Sequence, residues 1–223
     1  MNLDFAIIAV VWPALLRGTL VTVQLTLAVL ICATPLAVLV ALGRDSAIPV
    51  VRLPLAVLSA VLRGIPPLLV LFIVFFGLPP AGIALDPFPS AVLAMTCYMA
   101  FYFGEVLRGG LQSVPLDQWR AADALGLKRS RTVVRIILPQ TLPAVLPPYI
   151  SHATEVLKGT ALATAVAVAE LTSAARQVFV VTFRPFEVLI VAAIIYAILD
   201  GVLLALQHAG ERWAARTGTS TRY

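Results

Sequence analysis

Five stretches of this chain run almost uncharged for about the length that crosses a lipid bilayer as helix: Thr19 to Leu42, Leu53 to Leu78, Pro89 to Leu107, Leu138 to Leu157 and Phe186 to Gln207. A hydrocarbon core of ~30 Å takes ~20 residues of α-helix. Inside it every backbone N–H and C=O must find a partner within the protein, which leaves helices or closed barrels. Barrel strands read as segments of about ten residues with alternating polarity, and these runs do not alternate. Composition agrees, since 61% hydrophobic and 12% charged residues, with a mean hydropathy of +0.99, cannot cover a water-soluble domain. The expectation is an all-α polytopic membrane protein with five transmembrane helices, one domain over residues 1–223.

Asp4 and the absence of any basic residue before Arg17 argue against the positively charged start of a signal peptide, so the first helix is expected to stay. Cys32 and Cys97 lie within apolar runs, without metal or disulfide spacing. Five spans put the termini on opposite sides, and Lys and Arg are retained in the cytoplasm. Arg44, Arg52, Arg108, Arg120, Lys128, Arg129, Arg131, Arg135, Arg212, Arg216 and Arg222 fall on one face, which is eleven of the sixteen Lys and Arg residues. The other face carries Arg17, Lys158, Arg176 and Arg184, and its loop GLPPAGIALDPFPS has none. The N-terminus is therefore expected outside and the C-terminus in the cytoplasm of a bacterial plasma (inner) membrane. The net charge of +5 reflects this bias; its basic residues are not interleaved with aromatics as a nucleic-acid surface would require.

One cytoplasmic loop, about 108–137, is unlike its surroundings. SVPLDQWRAADALGLKRSRTVVRIILPQTLPAVLPP is charged, amphipathic and bounded by prolines. Ser113 or Pro115 starts a helix, Asp117 suits its first turn, and Gly126 ends it in the left-handed conformation. A second start signal stands at Ser130. The loop thus reads as two short helices bent at Gly126 to Arg129, the first bearing Leu116, Trp119 and Leu125 beside Ala121, Ala122 and Ala124. Such small side chains permit close approach by another surface.

RAADALG followed by ILPQTLPAVLPP resembles the cytoplasmic EAA loop of permease subunits in ATP-binding cassette (ABC) importers, in the polar amino acid branch. LLRGTL at 15–20, LRGIPPLLV at 62–70, GEVLRGGLQSVPLDQ at 104–118, LKGTALA at 157–163 and AEL at 169–171 fall in family order, so the resemblance spans nearly the whole chain. It departs at Arg120, where the family has Glu, at Asp117, where it has Gly, and at KGTAL, where an acidic or amide residue and a Ser are common. The resemblance implies a type I importer permease that translocates a polar amino acid or related compound inward. Its implied partners are a cytoplasmic ATPase dimer, a second permease subunit (the same chain or a paralogue) and an extracytoplasmic solute-binding protein. ATP and Mg²⁺ are used by the ATPase, and no cofactor is bound by this chain. The segment Pro115 to Gly126 is the implied coupling helix, with Pro115, Trp119, Arg120, Ala121, Ala122, Leu125 and Gly126 as coupling residues. The sequence agrees by having no G-x-x-x-x-G-K-[ST] loop for nucleotide phosphates.

Ionisable groups at membrane depth face partners or watery cavities. Arg63 is the deepest, just before Pro66 and Pro67, which remove two N–H donors and free carbonyls on the preceding turn. It is a candidate for a substrate carboxylate, which a guanidinium matches bidentately; pairing with Glu105, or snorkelling, is the alternative. Glu105 and Arg108 are spaced for a mutual ion pair on one helix, as are Glu155 and Lys158, and all four are also candidate substrate contacts. Asp200 has no role beyond interior packing, and His152 and His208 read as isolated. No catalytic motif or metal-ligand cluster occurs in the sequence, so neither an enzyme nor a metal site is expected. The competing class is a secondary transporter or channel subunit relaying ions through Arg63 and Glu105, against which the absence of an internal repeat counts.

Overall fold

The computed structural model describes residues 7–216, with side chains for residues 10–213; Asp4 and Arg222, invoked above, lie outside them. The described residues form helices and no strand. The long elements are α1 (Ile7–Arg44), α4 (Pro87–Gln112), α7 (Leu138–Gly159) and α9 (Pro185–Arg216). Between them lie α2 (Pro49–Gly64), α3 (Pro67–Gly77), α5 (Leu116–Ala124), α6 (Arg129–Thr132) and α8 (Leu171–Thr182). Among the described residues four helices are long and apolar enough to cross a membrane, Val10–Arg44, Pro87–Gln112, Arg129–Val166 and Pro185–Trp213, and the α2–α3 pair makes a fifth if its halves are one span.

The core forms where small and aliphatic residues recur every four positions. On α1 the stripe Leu25, Val29, Ala33, Ala37 is fully buried and packs on Ala91, Ala94, Met95, Met99, Ala100 and Phe103 of α4, as side chains four apart stack on one helix face. Small residues set the spacing: a Cβ added to Gly104 would lie 2.8 Å from Val40 Cγ1, and one on Gly110 would lie 2.2 Å from Val145 Cγ2. Lipid gives apolar helices no hydrophobic reason to associate, so such close approach is what holds them. A second cluster joins Val11 and Leu15 of α1 to Leu171 and Ala175 of α8 and Val188 and Ala192 of α9.

The expected single helix over Leu53 to Leu78 is corrected. It breaks, and α2 and α3 meet at 106°. The residue before a proline is driven out of the α region; Ile65, before Pro66, has φ −102° and ψ 150°, and Pro66, before Pro67, has φ −61° and ψ 138°. Two successive extended residues turn the chain, and Pro67 then opens α3, where a missing N–H costs nothing. The fourth apolar run also begins earlier than Leu138: α6, a widened π turn over Val133–Ile137, and α7 follow one another directly. The widening directly precedes Pro139, whose ring crowds the carbonyl four residues back.

Candidate functional site

The helix break positions the site. Pro67 cannot donate to the carbonyl of Arg63, and Tyr102 Oη of α4 donates to that carbonyl instead, at 3.1 Å. Tyr98 Oη lies 3.1 Å from Tyr102 Oη, one turn along α4. Beside them is a cavity of about 140 Å³, walled by Pro67 and Leu71 of α3, Met95 and Tyr98 of α4, and Glu155, Val156 and Gly159 of α7. Leu162, in the 3₁₀ segment Thr160–Val166 that follows α7, completes the wall. The cavity is apolar except for a tyrosine hydroxyl and one carboxylate.

That carboxylate is not paired as its spacing suggests. Glu155 Oε2 lies 2.8 Å from His152 Nδ1, and Lys158 reaches across to α9, its Nζ 3.0 Å from Asp200 Oδ2. The expectation of a Glu155–Lys158 pair is therefore corrected, as is the isolation of His152, whose ring also meets Tyr102 edge-on at 5.5 Å. Residues three apart lie on one helix face, but each here has a better partner on its other side. Asp200 has its partner in Lys158, while its Oδ1 is buried without a hydrogen bond.

Glu105 pairs with Arg108, as its spacing predicts, Arg108 Nη2 donating to Oε2 at 2.7 Å. It also receives Arg44 Nε of α1 on Oε1 at 3.0 Å, with Ser59 Oγ of α2 at 3.4 Å. Three helices thus converge on one carboxylate, and both of its oxygens are engaged. Pairing of Glu105 with Arg63 is absent. Arg63 is exposed, its Nε donates to Ser59 O of its own helix at 3.3 Å, and no ion pair to it occurs among the described residues.

At one end of the bundle, α5 stands out as a mostly exposed helix. Pro115 caps its start and Gly126 follows its end with φ +67°. Leu127 N–H bonds to Ala122 O at 3.1 Å and Gly126 N–H to Asp123 O at 3.0 Å, the paired bonds of a Schellman end. The bend is fixed a second time by Arg129, whose guanidinium lies 4.7 Å from the centre of the Trp119 ring. Leu116, Arg120, Ala121 and Leu125 face outward, whereas Ala122 is buried and is removed from the outward face expected for it. The second short helix starts at Arg129 rather than Ser130.

A family model described as the inner membrane component of binding-protein-dependent transport systems matches residues 33–216. The chain belongs to this family. Among similar proteins, the L-cystine transport system permease protein TcyB of Bacillus subtilis (strain 168) is 36% identical, over 90% of this chain and 86% of the relative. The nopaline transport system permease protein NocM of Agrobacterium fabrum (strain C58 / ATCC 33970) is 31% identical, over 95% and 92%. A crystal structure of an amino acid ABC transporter with histidines superposes with a TM-score of 0.87 at 28% identity, covering 95% of this chain and 99% of that one. An inward-facing MetNI methionine ABC transporter shares the fold at 19% identity, with a TM-score of 0.68 over 91% and 95%. The chain is an ABC importer permease of the amino acid branch, and the relatives it matches are transporter permease subunits.

One residue of this permease went unassigned in the sequence. Glu170, in the AEL block, is fully buried and caps α8 by accepting from Thr172 N–H at 2.9 Å and Ser173 N–H at 2.8 Å. The signal available was an acidic residue directly before a Leu-Thr-Ser helix start. Glutamate is an uncommon cap, which hid it.

Proposed function

We propose that this permease carries a polar amino acid, or a close relative of one, inward across the bacterial inner membrane, driven by ATP hydrolysis on a separate subunit. The observation that carries the substrate class is the cavity at the α2–α3 break. It is roughly mid-way along α4 and has Glu155 and Pro67 in its wall. Arg63, one turn before Pro67, is outside that wall, with its side chain turned back onto Ser59 O and free of any ion pair among the described residues, so it reaches a substrate there by a change of rotamer. A zwitterion needs both: an acceptor for its ammonium, and a guanidinium that grips a carboxylate bidentately. Unpaired charge at membrane depth is expensive and marks a pathway or partner. Glu105 and Arg108, locked to each other and to Arg44, are assigned to holding α1, α2 and α4 together. Lys158, held by Asp200, borders the route without being free to bind.

Residues 1–223 act as one transmembrane domain, with 108–137 as its coupling loop. The exposed, rigidly ended α5 is the surface for an ATPase dimer, and Pro115, Trp119, Arg120, Ala121, Leu125 and Gly126 shape it. A second permease subunit completes the pathway, and an extracytoplasmic solute-binding protein delivers the substrate. With α2–α3 counted as one span the termini fall on opposite sides, and the distribution of basic residues favours the N-terminus outside and the C-terminus in the cytoplasm. The cystine and nopaline relatives support an amino-acid-like solute. The test is uptake of labelled L-cystine, L-arginine and L-glutamine by vesicles holding this chain, its cognate ATPase and its binding protein. ATP-dependent accumulation of one of them is expected; accumulation unaffected by removing ATP or the ATPase contradicts the proposal.

A further inference from the structure

The segment between α7 and α8 is an unusual piece of chain. Thr160–Val166 runs as 3₁₀ helix for seven residues, whereas such runs seldom exceed three or four because their hydrogen bonds are poorly aligned. It ends at Ala167 with φ +63°, a left-handed conformation that a residue with a Cβ adopts only when its surroundings impose it. Ala167 N–H bonds to Thr164 O and Val168 N–H to Ala163 O, both at 3.1 Å. The segment begins at the cavity, with Gly159 and Leu162 in its wall.

Glu170 is what holds this segment down. Beyond the two N–H groups it caps, its carboxylate accepts from Thr164 Oγ1 of the segment and from Tyr196 Oη of α9, the latter at 2.7 Å. No Lys, Arg or His pairs with it among the described residues, so its charge is balanced by these four donors and by the N-terminal end of α8. The N-terminus of α8 is itself fixed to α1, since Leu171 N–H bonds to Thr22 Oγ1 at 3.1 Å. The arrangement separates into two parts. The backbone donors belong to α8 and stay with Glu170 in any movement of α8, and Tyr196 Oη of α9 is tied to α8 a second time by lying 3.0 Å from Thr172 Oγ1, whereas Thr164 Oγ1 comes from the 3₁₀ segment and leaves with it.

We propose that Glu170 is a positioning residue that latches the Thr160–Val166 segment over the cavity, and that this segment, once Thr164 is released, is the wall that moves when substrate passes. The proposal rests on the permease reading above. Substrate never touches Glu170; the latch acts through Thr164 and Tyr196, and the strain at Ala167 favours release once Thr164 lets go.

The test uses the chain assembled with its cognate ATPase in membrane vesicles, with Cys32→Ala and Cys97→Ala as the background. Leu162→Cys reports on the wall and Ala94→Cys, in the fully buried core, reports on general loosening; the readout is the rate of N-ethylmaleimide labelling. Thr164→Val and Tyr196→Phe each remove one hydroxyl and leave the helix cap intact. Each is expected to speed labelling at 162 by about tenfold, the factor for one hydrogen bond to a charged acceptor, with the rate at 94 unchanged and Thr164→Ser restoring the parent rate. Unchanged labelling at 162, or an equal rise at 94, overturns the latch. The reporter-free background chain is assayed for ATP-driven uptake in parallel, and failure there overturns the permease reading itself, a result separate from any labelling rate.

Discussion

Lys158 of α7 and Asp200 of α9 meet at 3.0 Å in the bundle, with the lysine side chain 60% exposed and the aspartate 16%. The asymmetry decides how the pair responds to mutation. Removing Lys158 leaves the less accessible Asp200 charge behind, at a cost between the ~0–1 kcal/mol of an exposed pair and the ~3–5 kcal/mol of a buried one, while removing both is milder. Lys158→Met should therefore lower the thermal midpoint of the purified complex by several degrees, and adding Asp200→Leu should recover most of the loss. A double variant less stable than Lys158→Met would show that the two residues do not depend on each other.

Glu105 gathers Arg44 and Arg108 on its two oxygens. Glu105→Gln leaves two guanidiniums facing each other without a counter-charge. The expected outcome is a loss of assembled complex and of maximal uptake rate, with the apparent KM for substrate unchanged. A selective rise in KM at normal assembly would return Glu105 to the substrate site.

Gly126 has φ +67°, and a Cβ built there meets nothing within 4 Å. The cost of Gly126→Val is thus conformational, about 1–2 kcal/mol for a left-handed residue with a side chain, and more for a β-branched one. The α5–α6 bend should shift, so that the complex still forms while substrate-stimulated ATP hydrolysis falls severalfold. Gly126→Asn, which tolerates this conformation, should retain most activity. Equal activity of the Val variant would place the bend outside the coupling path.

Arg120 is exposed beside Asp117, Nη1 to Oδ1 3.3 Å, in the position where the family has Glu. Exposed pairs of this kind contribute ~0–1 kcal/mol, so Arg120→Glu should leave folding intact. It should nevertheless weaken coupling, because it presents a carboxylate to a receiving surface matched to a guanidinium. Unchanged transport by that variant would show that position 120 faces solvent in the assembled transporter.

Local chemistry was legible in the sequence and long-range pairing was not. The ends of α5 followed from Pro115 and Gly126 because capping is settled within a few residues of chain. The proline pair announced freed carbonyls at Arg63, but the 106° turn depends on both Ile65 and Pro66 going extended, and on Tyr102 being present to take up one carbonyl. Glu155 and Lys158 show the limit most clearly. Their spacing satisfied the helix rule, yet His152 and Asp200 took them, and nothing in the sequence places α9 against that face of α7. Glu170 stayed hidden on two counts: glutamate is an uncommon cap, and its Tyr196 partner is on another helix.

The central claim is that Arg63 of α2, swung in from Ser59, and Glu155 of α7, released from His152, hold the two charged ends of the substrate at the cavity beside the α2–α3 break. It is tested most directly by measuring uptake and ATP hydrolysis together in reconstituted vesicles carrying Arg63→Ala, Arg63→Lys or Glu155→Gln. Loss of a bidentate charged contact, roughly 2.7 kcal/mol, should reduce uptake about a hundredfold in Arg63→Ala. Arg63→Lys keeps the charge without the fork and should raise KM severalfold, and Glu155→Gln should reduce uptake about tenfold, with basal ATP hydrolysis and complex assembly normal in all three. Assembly lost together with uptake, or uptake retained in Arg63→Ala, would contradict the account and move the substrate site away from this cavity.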